Sequence, residues 1–190
     1  MNSTIILIGP LGVGKTTVGR LLAEKLALPL CSIDDVRATY YAQAGYDQAI
    51  AAKIAADQGI RGVLRYAQPF DAQMVAMVLA DYPQRIIDFG ASNSVYEDET
   101  LLAGVKRILA PYPNVTLLLP SPDLAESVAI LQERLTRMLT AAGKTFTDEL
   151  FALNHYFIQH PSNQQLAKRV IYTKDKTPAT VCDEIMQTIV

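Results

Sequence analysis

The sequence predicts an α/β fold: an open five-stranded parallel sheet with helices on both faces. Three observations lead there. Four short runs, Thr4 to Ile8, Arg85 to Phe89, Val115 to Leu119 and Arg169 to Tyr172, are rich in β-branched or large apolar residues. They are too short for helices and fit strands buried on both faces. Long segments of helical spacing separate them, and alternation of strand and helix builds a parallel sheet. At 190 residues, 50% hydrophobic and 19% charged, the chain has the size and composition of one compact domain, 1–190, rather than a disordered or collagenous chain.

In chain order, strand 4–8 leads through a glycine-rich loop into a helix over 15–27. A weaker strand, Pro29 to Ile33, precedes an acidic pair and helical segments at 35–57 and 60–81. Strand 85–89 is followed by a helix at 97–110, strand 115–119 by helices at 122–141 and 149–158, and strand 169–172 by a closing helix at 178–190. The polar, glycine-containing stretch 142–148, AAGKTFT, reads as a small lid spanning about 138–150 or as a plain loop.

The net charge of −2, without a run of like charges, gives no footprint for nucleic acid or an anionic membrane. Cys31 and Cys182 match no metal or redox spacing, which predicts two buried thiols in a reducing cytosol. The opening MNSTIILIG lacks a charged leader region, and no stretch approaches the roughly 18 apolar residues of a membrane span, so a cytoplasmic location is expected. Oligomeric state is not legible.

In an open parallel sheet, ligands bind beyond the carboxyl ends of the strands. After the first strand comes Gly9-Pro10-Leu11-Gly12-Val13-Gly14-Lys15-Thr16-Thr17, which fits G-x-x-x-x-G-K-[ST] and is followed by a helix. Glycines let successive N–H groups face phosphate oxygens, and the helix N-terminus adds its partial positive charge. Lys15 adds a point charge on the terminal phosphates, and the Thr16 hydroxyl is suited to Mg²⁺. A nucleoside triphosphate with magnesium is therefore expected. Asp88 ends an apolar strand, where P-loop enzymes commonly keep a magnesium-holding carboxylate. The alternative for Asp88 is a turn residue before Gly90.

With these residues in view, the chain resembles the shikimate kinase family of small P-loop kinases, within the nucleoside monophosphate kinase fold. GPLGVGKTTVGRLLAEKLALPLCSIDD carries the resemblance at one end and HPSNQQLAKRVIYTKDKTPATVCDEIMQTIV at the other. The resemblance implies an ATP-dependent, Mg²⁺-dependent kinase acting on a metabolite hydroxyl, with the three-layer P-loop fold. It implies that Pro178 flanks adenine, that Asp34 grips and positions the acceptor hydroxyl, that a lid cation, Arg134 with Arg137 and Lys144 as alternatives, closes over the nucleotide, and that Arg61 or Arg65 and Gly90 meet the acceptor. Of the family's two aspartates after the second strand, the first is here Ser32. Its triple-glycine segment is Gly90-Ala91-Ser92, and its carboxylate-clamping arginine falls on Gln159. A Gln lacks the charged fork that arginine offers a carboxylate, so an acceptor other than shikimate is expected.

Simpler readings stand beside these. Asp34 or Asp35 serves as a helix cap; Arg61, Arg65, Arg137, Lys53 and Lys144 are solvated charges; Tyr40, Tyr41 and Tyr46 are packing. His155 and His160, five apart, do not share a helix face, and no zinc site is expected. Two further readings remain open: a nucleoside or nucleotide kinase, and a non-catalytic ATP-gated binding module.

Overall fold

A computed structural model describes residues 4–145 and 147–189. Its strands are β1 (Ile5–Ile8), β2 (Leu30–Ser32), β3 (Ile86–Asp88), β4 (Asn114–Leu119) and β5 (Arg169–Tyr172). They form one sheet in the order β2-β3-β1-β4-β5, with every pairing parallel.

All four residues of β1 are buried, because alternate side chains enter different layers. Ile6 and Ile8 join a core with Met74, Val75, Val78 and Val105. That layer comprises α2 (Ile33–Ala44), α3 (Gln48–Asp81), α4 (Glu99–Leu109) and α7 (Pro161–Leu166). Ile5 and Leu7 join the opposite core with Val18, Leu22, Leu131 and Ile185, under α1 (Lys15–Leu26), α5 (Leu124–Ala141) and α8 (Pro178–Thr188). The sequence-level expectation of strands covered on both faces holds for this physical reason. α6 (Asp148–Gln159) places Leu153 and Phe157 against Ala91 and Val95, at a 3-10 turn (Ala91–Ser94) just past β3. Cys31 and Cys182 are free and buried, one in each core. No helix of the described residues is long and apolar enough to cross a membrane.

The helical boundaries differ from the sequence expectation in four places. The segment expected as one helix over 35–57 breaks at Gly45, whose φ of 81° ends α2, and restarts where Asp47 Oδ1 accepts from the N–H groups of Ala49 (2.7 Å) and Ile50 (3.2 Å). The break expected between 57 and 60 is instead a kink inside α3 at Gly59, with φ 64° and ψ −167°. An L side chain is strained there, and the freed Ile60 N–H donates to Glu149 Oε1 at 3.3 Å. The short α7 was not expected; Pro161 opens it and the His160 ring caps it. The stretch expected as a lid over about 138–150 is helical at both ends, so only 142–147 lies between α5 and α6.

Parallel register sets the site. Asp88 pairs alongside Leu7 on one side and Ser32 on the other, so the carboxyl ends of β1, β2 and β3 open at one edge.

Candidate active site

Immediately past β1 the chain turns at Gly9, with φ 140°. A Cβ there would lie 2.5 Å from the carbonyl oxygen of Leu118 on β4, so only glycine lets the loop start this close to the sheet. The loop ends at Gly14, the N-cap of α1, which has no side-chain cap hydrogen bond. The first amides of α1 thus remain unfilled by side-chain caps, the arrangement that receives phosphate.

Lys15 is buried, and its Nζ donates to the carbonyls of Gly9 (2.8 Å) and Pro10 (3.0 Å). Burial lowers its pKa, and the carboxylates of Asp88 and Asp34 act against that shift. Thr16 Oγ1 donates to Asp88 Oδ2 at 2.6 Å. Burial raises the Asp88 pKa, opposed by Lys15 and by the Thr16 hydrogen bond. Two hard oxygen donors in contact at a crevice mouth fit a magnesium ion that completes its shell with water and phosphate oxygens. The crevice is about 270 Å³ and is lined by Lys15, Thr16, Asp34, Asp88, Leu11 and Met138.

A second cleft of about 290 Å³ shares Gly12, Gly14 and Thr17 with the first, and is lined further by Arg134, Thr173, Lys176 and Pro178. Arg134 Nη1 donates to Thr173 Oγ1 at 3.2 Å. Pro178, first residue of α8, and Arg134 thus face one space beside the phosphate loop. Arg137 pairs with Glu133 on the exposed side of α5, and Lys144 lines a separate open depression with Thr136, Thr140 and Asp148.

Asp34 and Asp35 do not cap α2; the cap position is Ser32, and both aspartates lie in the first turn, where negative charge suits the helix dipole. The Asp34 carboxylate lines the crevice and pairs with Arg37 Nη2 at 2.6 Å. Arg37 was not singled out from the sequence. Its other contacts are Asp71 Oδ1 (3.2 Å), Tyr41 Oη (3.1 Å) and Asn93 Oδ1 (3.2 Å). Asp71, 1% exposed, accepts on Oδ1 from Tyr41 (2.7 Å) and Asn93 Nδ2 (2.6 Å) as well, the pattern of an ionised carboxylate. Burial raises its pKa, opposed first by Arg37. Burial also works against the Arg37 charge, yet Asp71 and Asp34 carry its net shift upward. A Cβ on Gly90 would lie 2.5 Å from Arg37 Nη2 and 2.6 Å from both Asn93 Oδ1 and Asp34 Oδ1. The space that glycine leaves is filled by these three side chains.

Arg61 and Arg65 do not line the crevice. Arg61 pairs with Glu97 at 3.1 Å and lies 3.6 Å from the centroid of the Tyr156 ring, while Arg65 contacts Gln58 at 3.3 Å. Gln159 faces a different depression beside Pro122 and Leu124. Tyr41, Tyr46, Tyr66 and Phe70 pack on one another with ring centroids 4.5 to 6.4 Å apart, and Tyr40 donates to Asp81.

A second residue missed from the sequence is Asn154 on α6. Its Oδ1 accepts from the Leu11 N–H (2.9 Å) and its Nδ2 donates to the Leu11 carbonyl (3.2 Å), a two-point clamp on the phosphate loop. For Asn154, and for Asp71 that holds Arg37, a signal was present in the sequence as a polar residue on an apolar helix face: Asp71 among Ala67, Met74, Val75 and Val78, and Asn154 among Leu150, Leu153 and Phe157.

Residues 5–64, spanning β1, the phosphate loop, α1, β2, α2 and the first half of α3, match the model of the ATPase family associated with various cellular activities (AAA). The chain is 25% identical over 187 residues to a shikimate kinase of Streptomyces coelicolor, covering 97% of this chain and 94% of that one. The fold is similar to that of shikimate kinase from Acinetobacter baumannii in complex with shikimate (TM-score 0.63, 21% identity, 98% and 92% coverage). It is similar too to a gluconokinase from Sinorhizobium meliloti 1021 (TM-score 0.57, 14% identity, 98% and 90% coverage).

Proposed function

We propose that this shikimate kinase-like P-loop chain is a small-molecule kinase that transfers the γ-phosphoryl group of Mg-ATP to a hydroxyl of a metabolite other than shikimate. The observation that carries it is the meeting of Lys15, the Thr16–Asp88 pair and Asp34 in one crevice that continues into the cleft of Arg134 and Pro178. Pro178 and Arg134 would hold the adenine, and the backbone N–H groups of residues 11–17 would hold the phosphates. Lys15 leaves the Gly9 and Pro10 carbonyls and neutralises charge on the terminal phosphates. Thr16 and Asp88 would hold magnesium, which would neutralise phosphate charge. Asp34, oriented by Arg37, accepts the proton of the acceptor hydroxyl as its oxygen bonds to the γ-phosphorus. The bond to the bridging oxygen breaks and ADP departs.

The AAA match over the phosphate loop favours a second reading, hydrolysis with water as acceptor. ADP release measured with Mg-ATP alone and with a panel of hydroxylated metabolites separates the two. Release that rises and saturates with one acceptor supports the kinase; a rate no acceptor changes supports the ATPase.

A further inference from the structure

We infer that the acceptor of this kinase is a hydroxylated compound carrying no anionic group, a neutral polyol or an amino alcohol, met in the crevice by Asp34, whose carboxylate is held from behind by Arg37. The inference rests on the kinase reading above and names its substrate class.

Whatever accepts the phosphoryl group must reach Asp34, on the side of the crevice lined by Leu11, Ala91 and Met138. Lys15, the one basic residue among those lining it, is bonded to the Gly9 and Pro10 carbonyls of the phosphate loop. The next cation is Arg37, a guanidinium 27% exposed and held at 2.6 Å by one carboxylate, Asp34, and at 3.2 Å by another, Asp71. Tyr41 and Asn93 take further donor positions on the same fork. Arg37 therefore faces two negative charges with one positive charge, and the cluster as a whole is net acidic. An anion placed there competes with Asp34, Asp71, Tyr41 and Asn93 for the Arg37 Nη donors and meets the Asp34 carboxylate and the triphosphate at close range. A hydroxyl or an ammonium group is met favourably, because the Asp34 carboxylate that lines the crevice accepts from either. Arg61, outside the crevice lining, is paired with Glu97 and lies 3.6 Å from the centroid of the Tyr156 ring.

The test uses matched acceptors with Mg-ATP and reads ADP release: glucose, glucosamine and gluconate as one set, methyl shikimate and shikimate as another. In any set that supports turnover, kcat/KM for the neutral or ammonium member should exceed that of the carboxylate by about a hundredfold. Asp71→Asn keeps hydrogen-bond acceptance from Arg37 and Tyr41 but removes one of the two negative charges. It should raise the carboxylate-to-neutral ratio of kcat/KM by about tenfold. If Asp71→Asn does not fold, the wild-type comparison decides alone. Gluconate or shikimate turned over as well as its uncharged counterpart overturns the inference and leaves the kinase standing. If no probe raises ADP release while Mg-ADP still binds, the kinase reading falls, and the inference with it.

Discussion

Lys15 is held by two carbonyls and by the field of two carboxylates, so its removal takes a charge from the phosphate crevice without opening the apolar core. Lys15→Ala is expected to fold, to bind Mg-ADP weakly, and to lose about a hundredfold or more in kcat, measured by ADP release with the true acceptor. The two carboxylates of the crevice separate by their response to metal. Asp88→Asn still accepts from Thr16 but lacks the charge that holds the ion, so raising magnesium should restore part of the rate. Asp34→Asn cannot take a proton, and magnesium should not restore it. If the rescued variant is instead Asp34→Asn, the two roles are exchanged. The raised pKa of Asp88 also sets a pH dependence, since magnesium needs the ionised form. As pH falls through that raised value the proton displaces the metal, so the magnesium-dependent part of the Mg-ADP thermal shift should decline at a higher pH than an ordinary carboxylate allows. Asp88→Asn should remove this decline. In the free protein the same shift has the opposite slope. The folded state holds the proton more tightly than the unfolded chain, so this group's contribution to stability falls as pH rises through its folded pKa.

At the scale of elements, α6 governs the phosphate loop through Asn154, and α3 meets α6 where the Gly59 kink sends the Ile60 amide to Glu149. Asn154→Ala removes two hydrogen bonds from Leu11. It should cost about 1–3 kcal/mol of stability by chemical denaturation and weaken Mg-ADP binding about tenfold by calorimetry. Asn154→Asp keeps the acceptor for the Leu11 N–H but sets a carboxylate against the Leu11 carbonyl. It should weaken ADP binding too; unchanged ADP affinity in both variants would reduce Asn154 to a packing role. Gly59→Ala forces an L residue into a glycine-only conformation and should destabilise the fold by roughly 1–3 kcal/mol. The strands and most helices were legible because β1, β3, β4 and β5 are buried apolar runs and the helices carry one apolar face each. The division of 35–57 at Gly45 was less legible: helical composition runs up to Ala44 and resumes at Gln48, and the stop depends on one left-handed glycine followed by the Asp47 cap.

For the molecule as a whole, a nucleotide that binds only the folded state should stabilise it by about 2.7 kcal/mol at a hundredfold excess over Kd. For a chain of this length that raises Tm by roughly 5–10 °C. A Mg-ADP melt that leaves Tm unmoved at saturating ligand would contradict the cleft assignment. The sequence by itself determined the phosphate loop and the order of strands and helices. Both are local: a glycine spacing and an alternating apolar pattern are written in contiguous residues. Asp88 at the end of its strand was legible for the same reason. Only the tertiary structure decided which distant groups share the crevice. Arg37 meets Asp71 across 34 residues of chain, and Leu11 meets Asn154 across 143. Arg61 and Arg65, one turn apart on the same helix, looked alike until α6 and Glu97 claimed one of them and neither reached the site. Such pairings depend on how helices pack over the sheet, and contiguous sequence carries no direct record of that packing.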